Sequence, residues 1–121
     1  MRVPILKQGT YLIASIQSAL SDEDLLQLRD DLAQMVSRRH STGVIIDVTA
    51  LDVMDSFAAR TLRSMAATVK LGGARAIIVG IQPEVAFAMV QLGLSLAGVS
   101  TALDLEEGLA LLSKTNVGEL I

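Results

Sequence analysis

Val44-Ile-Ile-Asp-Val48 and Ala74-Arg-Ala-Ile-Ile-Val79 are short aliphatic runs rich in β-branched residues. Such runs suit strands buried on both faces, the kind found in parallel sheets covered by helices. Parallel neighbours need a long crossover, and the residues between these runs provide one. From about Ser56 to Leu71, the residues Ala58, Leu62, Met65, Ala66 and Val69 recur at helical spacing, and Gly72-Gly73 stops the helix. This strand–helix–strand unit confines the chain to an α/β architecture.

The flanking segments extend the same pattern. Val3–Lys7 and Tyr11–Ile16 read as two strands joined at Gly9, close enough for an antiparallel hairpin. Ser21 is a good N-cap, and Asp22, Glu23 and Asp24 complement the helix dipole behind it. Leu25, Leu28, Leu32 and Met35/Val36 follow as the apolar stripe of that helix, with Arg38 and Arg39 in its last turn. Pro83 suits the first position of a third helix over Glu84–Leu92, stopped by Gly93. Val99–Leu103 is a weaker strand, and Asp104-Leu-Glu-Glu107 opens a last helix over Leu105–Lys114. The order is ββαβαβαβα: a mostly parallel sheet with an antiparallel N-terminal edge strand and four helices, read as one domain over 1–121.

Composition removes most chemistries. The chain is 51% hydrophobic but has only three aromatics, Tyr11, Phe57 and Phe87. It has no Cys, so disulfides and thiol catalysis are absent, and its one His, His40, sits beside Arg38 and Arg39 as a solvated helix-end residue. Ordinary zinc sites and Cys–His catalysis therefore lack their residues. There is no G-x-S-x-G, Walker A or G-x-G-x-x-G motif. A net charge of −3 and the lack of a basic run argue against nucleic acid. No apolar stretch approaches the ~18 residues of a membrane span, and no signal peptide is evident. A cytoplasmic domain without metal, cofactor or enzymatic activity is expected. A receiver-type acidic site is weak too: Asp47, Asp52 and Asp55 flank one strand end, but no earlier acidic pair and no later Lys completes it.

The informative stretch is Asp47-Val-Thr-Ala-Leu-Asp-Val-Met-Asp-Ser-Phe-Ala-Ala-Arg-Thr61. A buried strand leads into a loop, and Asp55-Ser56 opens a helix. Either residue can serve as the cap. The free N–H groups and the dipole at that end would also favour a phosphate on Ser56. Arg60 follows four residues later, whereas Asp52 and Asp55 would repel such a group. A simple helix start explains the same residues.

Taken with the element order, Asp55-Ser56-Phe57 resembles the STAS family, the sulfate transporter and anti-sigma-factor antagonist domains, over essentially the whole chain. Val53–Thr61, Gly72-Gly-Ala-Arg75, Gly80–Ala86, Leu92–Val99 and Thr101–Gly108 are similar to the small stressosome members of that family, the RsbS-like proteins. The Phe-Ala-Ala-Arg continuation after Ser56 fits this branch better than that of simple antagonists. The resemblance implies a non-enzymatic scaffold that co-assembles with RsbR-like STAS proteins and sequesters an RsbT-like serine/threonine switch kinase. It implies phosphorylation at Ser56, with Asp52, Asp55, Phe57 and Arg60 around it, and reset by a PP2C-type phosphatase. The alternatives are a simple anti-sigma-factor antagonist controlled by serine phosphorylation, or a nucleotide-binding sensor, for which no phosphate-cradling loop is evident.

Val85–Val90 is an almost continuous apolar run, more than the stripe a helix needs to cover one sheet face. Phe87, Met89, Val90, Leu94 and Leu96 are therefore candidate interface residues, for a homo-oligomer or for other STAS chains. Alternatively, the Gly93–Gly98 segment folds back over them.

Overall fold

Five strands lie side by side in chain order, and this sequential order determines where the helices fall. The structure is a computed structural model describing residues 3–114. Strand β1 (Ile5–Gln8) pairs antiparallel with β2 (Tyr11–Ser15), and the parallel strands β3 (Gly43–Asp47), β4 (Arg75–Val79) and β5 (Ser100–Ala102) follow. Helices α1 (Asp22–Arg39), α2 (Ser56–Leu71) and α3 (Pro83–Gln91) form the crossovers, and α4 (Leu105–Ser113) follows β5. Successive right-handed crossovers that always step the same way along a sheet leave their helices on one face.

Side-chain alternation along the strands divides the core accordingly. Leu12, Ala14, Val44, Ile46 and Ile78 face α1, α2 and α3 and pack with Leu28, Leu32, Leu62, Met65 and Val85. Ile13, Ile45, Ile77 and Val79 face the other way, towards Leu112 of α4. The central strands are buried on both sides, so they read as continuous apolar runs. Helix α4 comes close to the sheet at Gly108, where an added Cβ would stand 2.7 Å from Val79 Cγ1 and 3.3 Å from Ile45 Cδ1.

Differences from the sequence reading are local. The first strand is displaced to Ile5–Gln8, and the last is shorter than Val99–Leu103. Ser21 caps α1 as expected, its hydroxyl accepting the Asp24 N–H at 3.1 Å. On α2 the buried stripe is Ala59, Thr61, Leu62, Met65, Ala66 and Val69, and Ala58 is only half-buried. Thr61 can occupy a core position because its hydroxyl donates to Phe57 O at 2.8 Å, which satisfies its polar group within the helix.

Candidate functional site

Asp55 resolves the choice of cap at the start of α2. It adopts an extended backbone (φ −82°, ψ 177°), and its Oδ1 accepts the Ala58 N–H at 2.8 Å. Its carbonyl accepts the first intrahelical bond from Ala59 N at 3.0 Å. Ser56 is thereby the first helical residue, exposed to solvent, with its hydroxyl not used as the cap.

The neighbours of Ser56 divide into anchors and charges. Phe57 is half-buried against the main core, which fixes the first turn. Arg60 is exposed one turn further along, at the i,i+4 spacing that makes helical residues neighbours. Asp52 is exposed in the preceding loop. The first turn of α2 contains no acidic residue, so the cap carboxylate of Asp55 is the negative charge nearest the helix start along the chain.

Two residues that the sequence did not single out hold this loop on the core: Leu51 and Met54 are 7% and 5% exposed. They carry no periodic signal because the segment is neither helix nor strand. Asp47, which sequence alone offered as part of an acidic cluster, organises the turn after β3. Its Oδ1 accepts from Thr49 N–H at 2.9 Å and from Thr49 Oγ1 at 2.6 Å. Gln82 was also missed; its Nε2 donates to Thr49 O at 2.7 Å. A shallow, mainly apolar groove of about 110 Å³ runs beside the site between α1 and this loop, with Leu20, Leu51 and Val53 in its wall and Asp22 and Asp55 at its edge.

The candidate interface residues separate. Phe87 and Val90 are 65% and 77% exposed on the outer side of α3. Met89 is 6% exposed and belongs to the core with Val85, which removes it from the proposed interface. The reason is helical phase: Val85 and Met89 are four residues apart and share the inward side, so Phe87 and Val90 turn outward. Leu94 and Leu96 are half-buried because the segment after α3 folds back on the core. Leu92 and Leu103, not singled out from sequence, are 68% and 76% exposed.

Among the described residues, no group of three or more His, Asp or Glu side chains could hold a metal ion. No described helix is long and apolar enough to cross a membrane.

Comparison with known proteins identifies the family of the fold. A family model of the STAS domain matches residues 2–107. The chain belongs to the STAS family. This STAS chain is similar to an RsbS from Moorella thermoacetica carrying a serine-to-glutamate substitution, with a TM-score of 0.81, 33% identity, and coverage of 94% of this chain and 97% of that one. It is also similar to a chain in a structure described as the molecular architecture of the stressosome, a signal integration and transduction hub, with a TM-score of 0.76, 32% identity, and coverage of 94% and 99%. The Bacillus subtilis RsbT co-antagonist protein RsbRA is 28% identical over 107 residues, 88% of this chain. The STAS chain spans only 38% of the length of that relative.

Proposed function

We propose that this STAS chain is a non-enzymatic scaffold of a stressosome-type assembly, controlled by phosphorylation of Ser56. In this reading it co-assembles with RsbR-like STAS proteins in the cytoplasm and holds an RsbT-like serine/threonine kinase. Phosphorylation releases the kinase, and a PP2C-type phosphatase resets the surface. The observation that carries the reading is the division of labour at the start of α2: Asp55 caps the helix, and Ser56 stands exposed beside it.

The chemistry is performed on this chain by its partner. With ATP bound to the kinase, the Ser56 oxygen bonds to the γ-phosphorus and the bond to the bridging oxygen breaks. ADP leaves, and the hydroxyl proton passes to a base on the kinase. The new group carries roughly −1.5 to −2 charges at neutral pH. The unpaired N–H groups and dipole of α2 favour it, and Arg60 lies one turn away. Asp52 and Asp55 oppose it. Phosphorylation thus changes the charge of this surface sharply while leaving Asp55 in place as the cap, a suitable property for a binding switch.

The similarity to RsbS and to a stressosome chain at 33% and 32% identity supports the scaffold reading. Incubation with the cognate kinase and ATP, followed by mass-spectrometric mapping, tests the site. Phosphate on Ser56 is expected; stoichiometric phosphate elsewhere with Ser56 unmodified would overturn the assignment. Size-exclusion chromatography with an RsbR-like partner tests the assembly, where a megadalton-scale complex is expected. A simple antagonist would elute as a small monomer or dimer.

A further inference from the structure

Gln82 stands at the N-cap position of α3, yet its side chain makes no capping hydrogen bond to its own helix. The carboxamide reaches instead across to the loop that leads to Ser56. Its Nε2 donates to Thr49 O at 2.7 Å and makes a longer contact of 3.5 Å with Asp52 Oδ1. Thr49 is held from its other sides as well. Asp47 binds its N–H and hydroxyl. Gly80, with φ of +82°, lies so close that a Cβ there would overlap Thr49 Oγ1. Beyond Thr49, Leu51 and Met54 are buried, whereas Asp52 and Val53 are exposed. Gln82 therefore contacts both the entrance of the loop and its outward-facing part.

We infer that Gln82 is a positioning residue for the Ser56 site: its amide N–H group holds residues 49–55 in the conformation that presents Ser56 to a kinase. The inference rests on the reading of Ser56 as phosphoacceptor. Both groups facing the amide, a backbone carbonyl and a carboxylate, are acceptors, so the position needs a donor. Glu is nearly the same size as Gln but would set oxygen against oxygen at both contacts. Lys has a similar reach and only donors. Phosphoryl transfer requires the Ser56 oxygen to lie in line with the γ-phosphorus as the bridging bond to ADP breaks. A loop that samples several conformations lowers the fraction of encounters meeting that condition.

The test uses the full chain as wild type, Q82E and Q82K. Backbone amide exchange of residues 49–55 is followed by NMR, and Ser56 phosphorylation is followed with an RsbT-type kinase and ATP over a range of protein concentrations. In Q82E, loop exchange is expected to rise and kcat/KM for Ser56 to fall by about tenfold, the effect of one lost net hydrogen bond, with a melting midpoint lowered by only a few degrees and the fold retained. Q82K should restore both, because it restores the donor. Wild-type exchange in Q82E, or Q82K behaving like Q82E, overturns the inference. Exchange that responds as expected, while wild-type Ser56 accepts no phosphate, would instead overturn the phosphoacceptor reading and support Gln82's hold on the loop.

Discussion

Asp55 Oδ1 accepts the Ala58 N–H at 2.8 Å, and this bond leaves the adjacent Ser56 exposed at the helix start. Capping and modification are thereby assigned to two consecutive residues. Asp55→Ala should cost about 1 kcal/mol of folding stability, the usual value of an N-cap. Ser56→Ala should change stability by less than about 0.5 kcal/mol, as expected for a surface site without a capping role. Urea denaturation of both variants checks the division, and the reverse ranking would mean that Ser56 is the cap.

Phosphorylation of Ser56 should leave the fold intact. The phosphate meets a helix N-terminus whose first turn has no acidic residue, and Asp55 keeps its bond to Ala58. The phosphoprotein is expected to show the far-ultraviolet circular dichroism of the unmodified chain. Its melting midpoint should move by only a few degrees, since charge–dipole terms are worth about 0.3–1 kcal/mol. Loss of helical signal would point to a switch by unfolding.

Helix α3 offers a paired test of which side faces the core. Met89→Ala removes a buried side chain and should cost about 2–5 kcal/mol. Phe87→Ala should cost less than about 0.5 kcal/mol, because the ring is exposed. Phe87→Asp should fold normally and weaken assembly with an RsbR-like partner, read by the elution volume of the mixture. Normal assembly would remove Phe87 from the interface.

Gly108 should tolerate nothing larger than hydrogen. In Gly108→Ala the new methyl meets Val79 and Ile45 of the sheet, and overpacking of this kind costs about 1–3 kcal/mol despite the gain in helix propensity. Thermal melting decides the sign; a stabilised variant would mean that α4 can move off the sheet at no cost.

The elements were legible where the apolar pattern had one meaning. The runs Val44–Val48 and Ala74–Val79 are doubly buried because α4 covers the face that α1, α2 and α3 leave open, and a sequence registers that as unbroken hydrophobicity. The phase of α3 was not legible, because Val85–Val90 is apolar almost throughout and gives periodicity nothing to distinguish. On α2, Thr61 is buried through a bond to Phe57 O that hydropathy does not register. At the site, Asp55-Ser56 marked the helix start but left the cap undecided, since both side chains can accept an N–H. Leu51 and Met54 anchor an irregular loop. Gln82 meets Thr49 across 33 positions of chain, a contact created by β3 and β4 lying side by side.

In the proposed switch, phosphate on Ser56 decides whether a switch kinase is held. The direct measurement is the amount of RsbT-type kinase that co-elutes with the assembled complex before and after stoichiometric phosphorylation, with Ser56→Ala in parallel. Kinase should leave as Ser56 is modified and stay on the Ser56→Ala assembly under the same conditions. Kinase retained on fully phosphorylated protein, or released equally from the Ser56→Ala assembly, would contradict it.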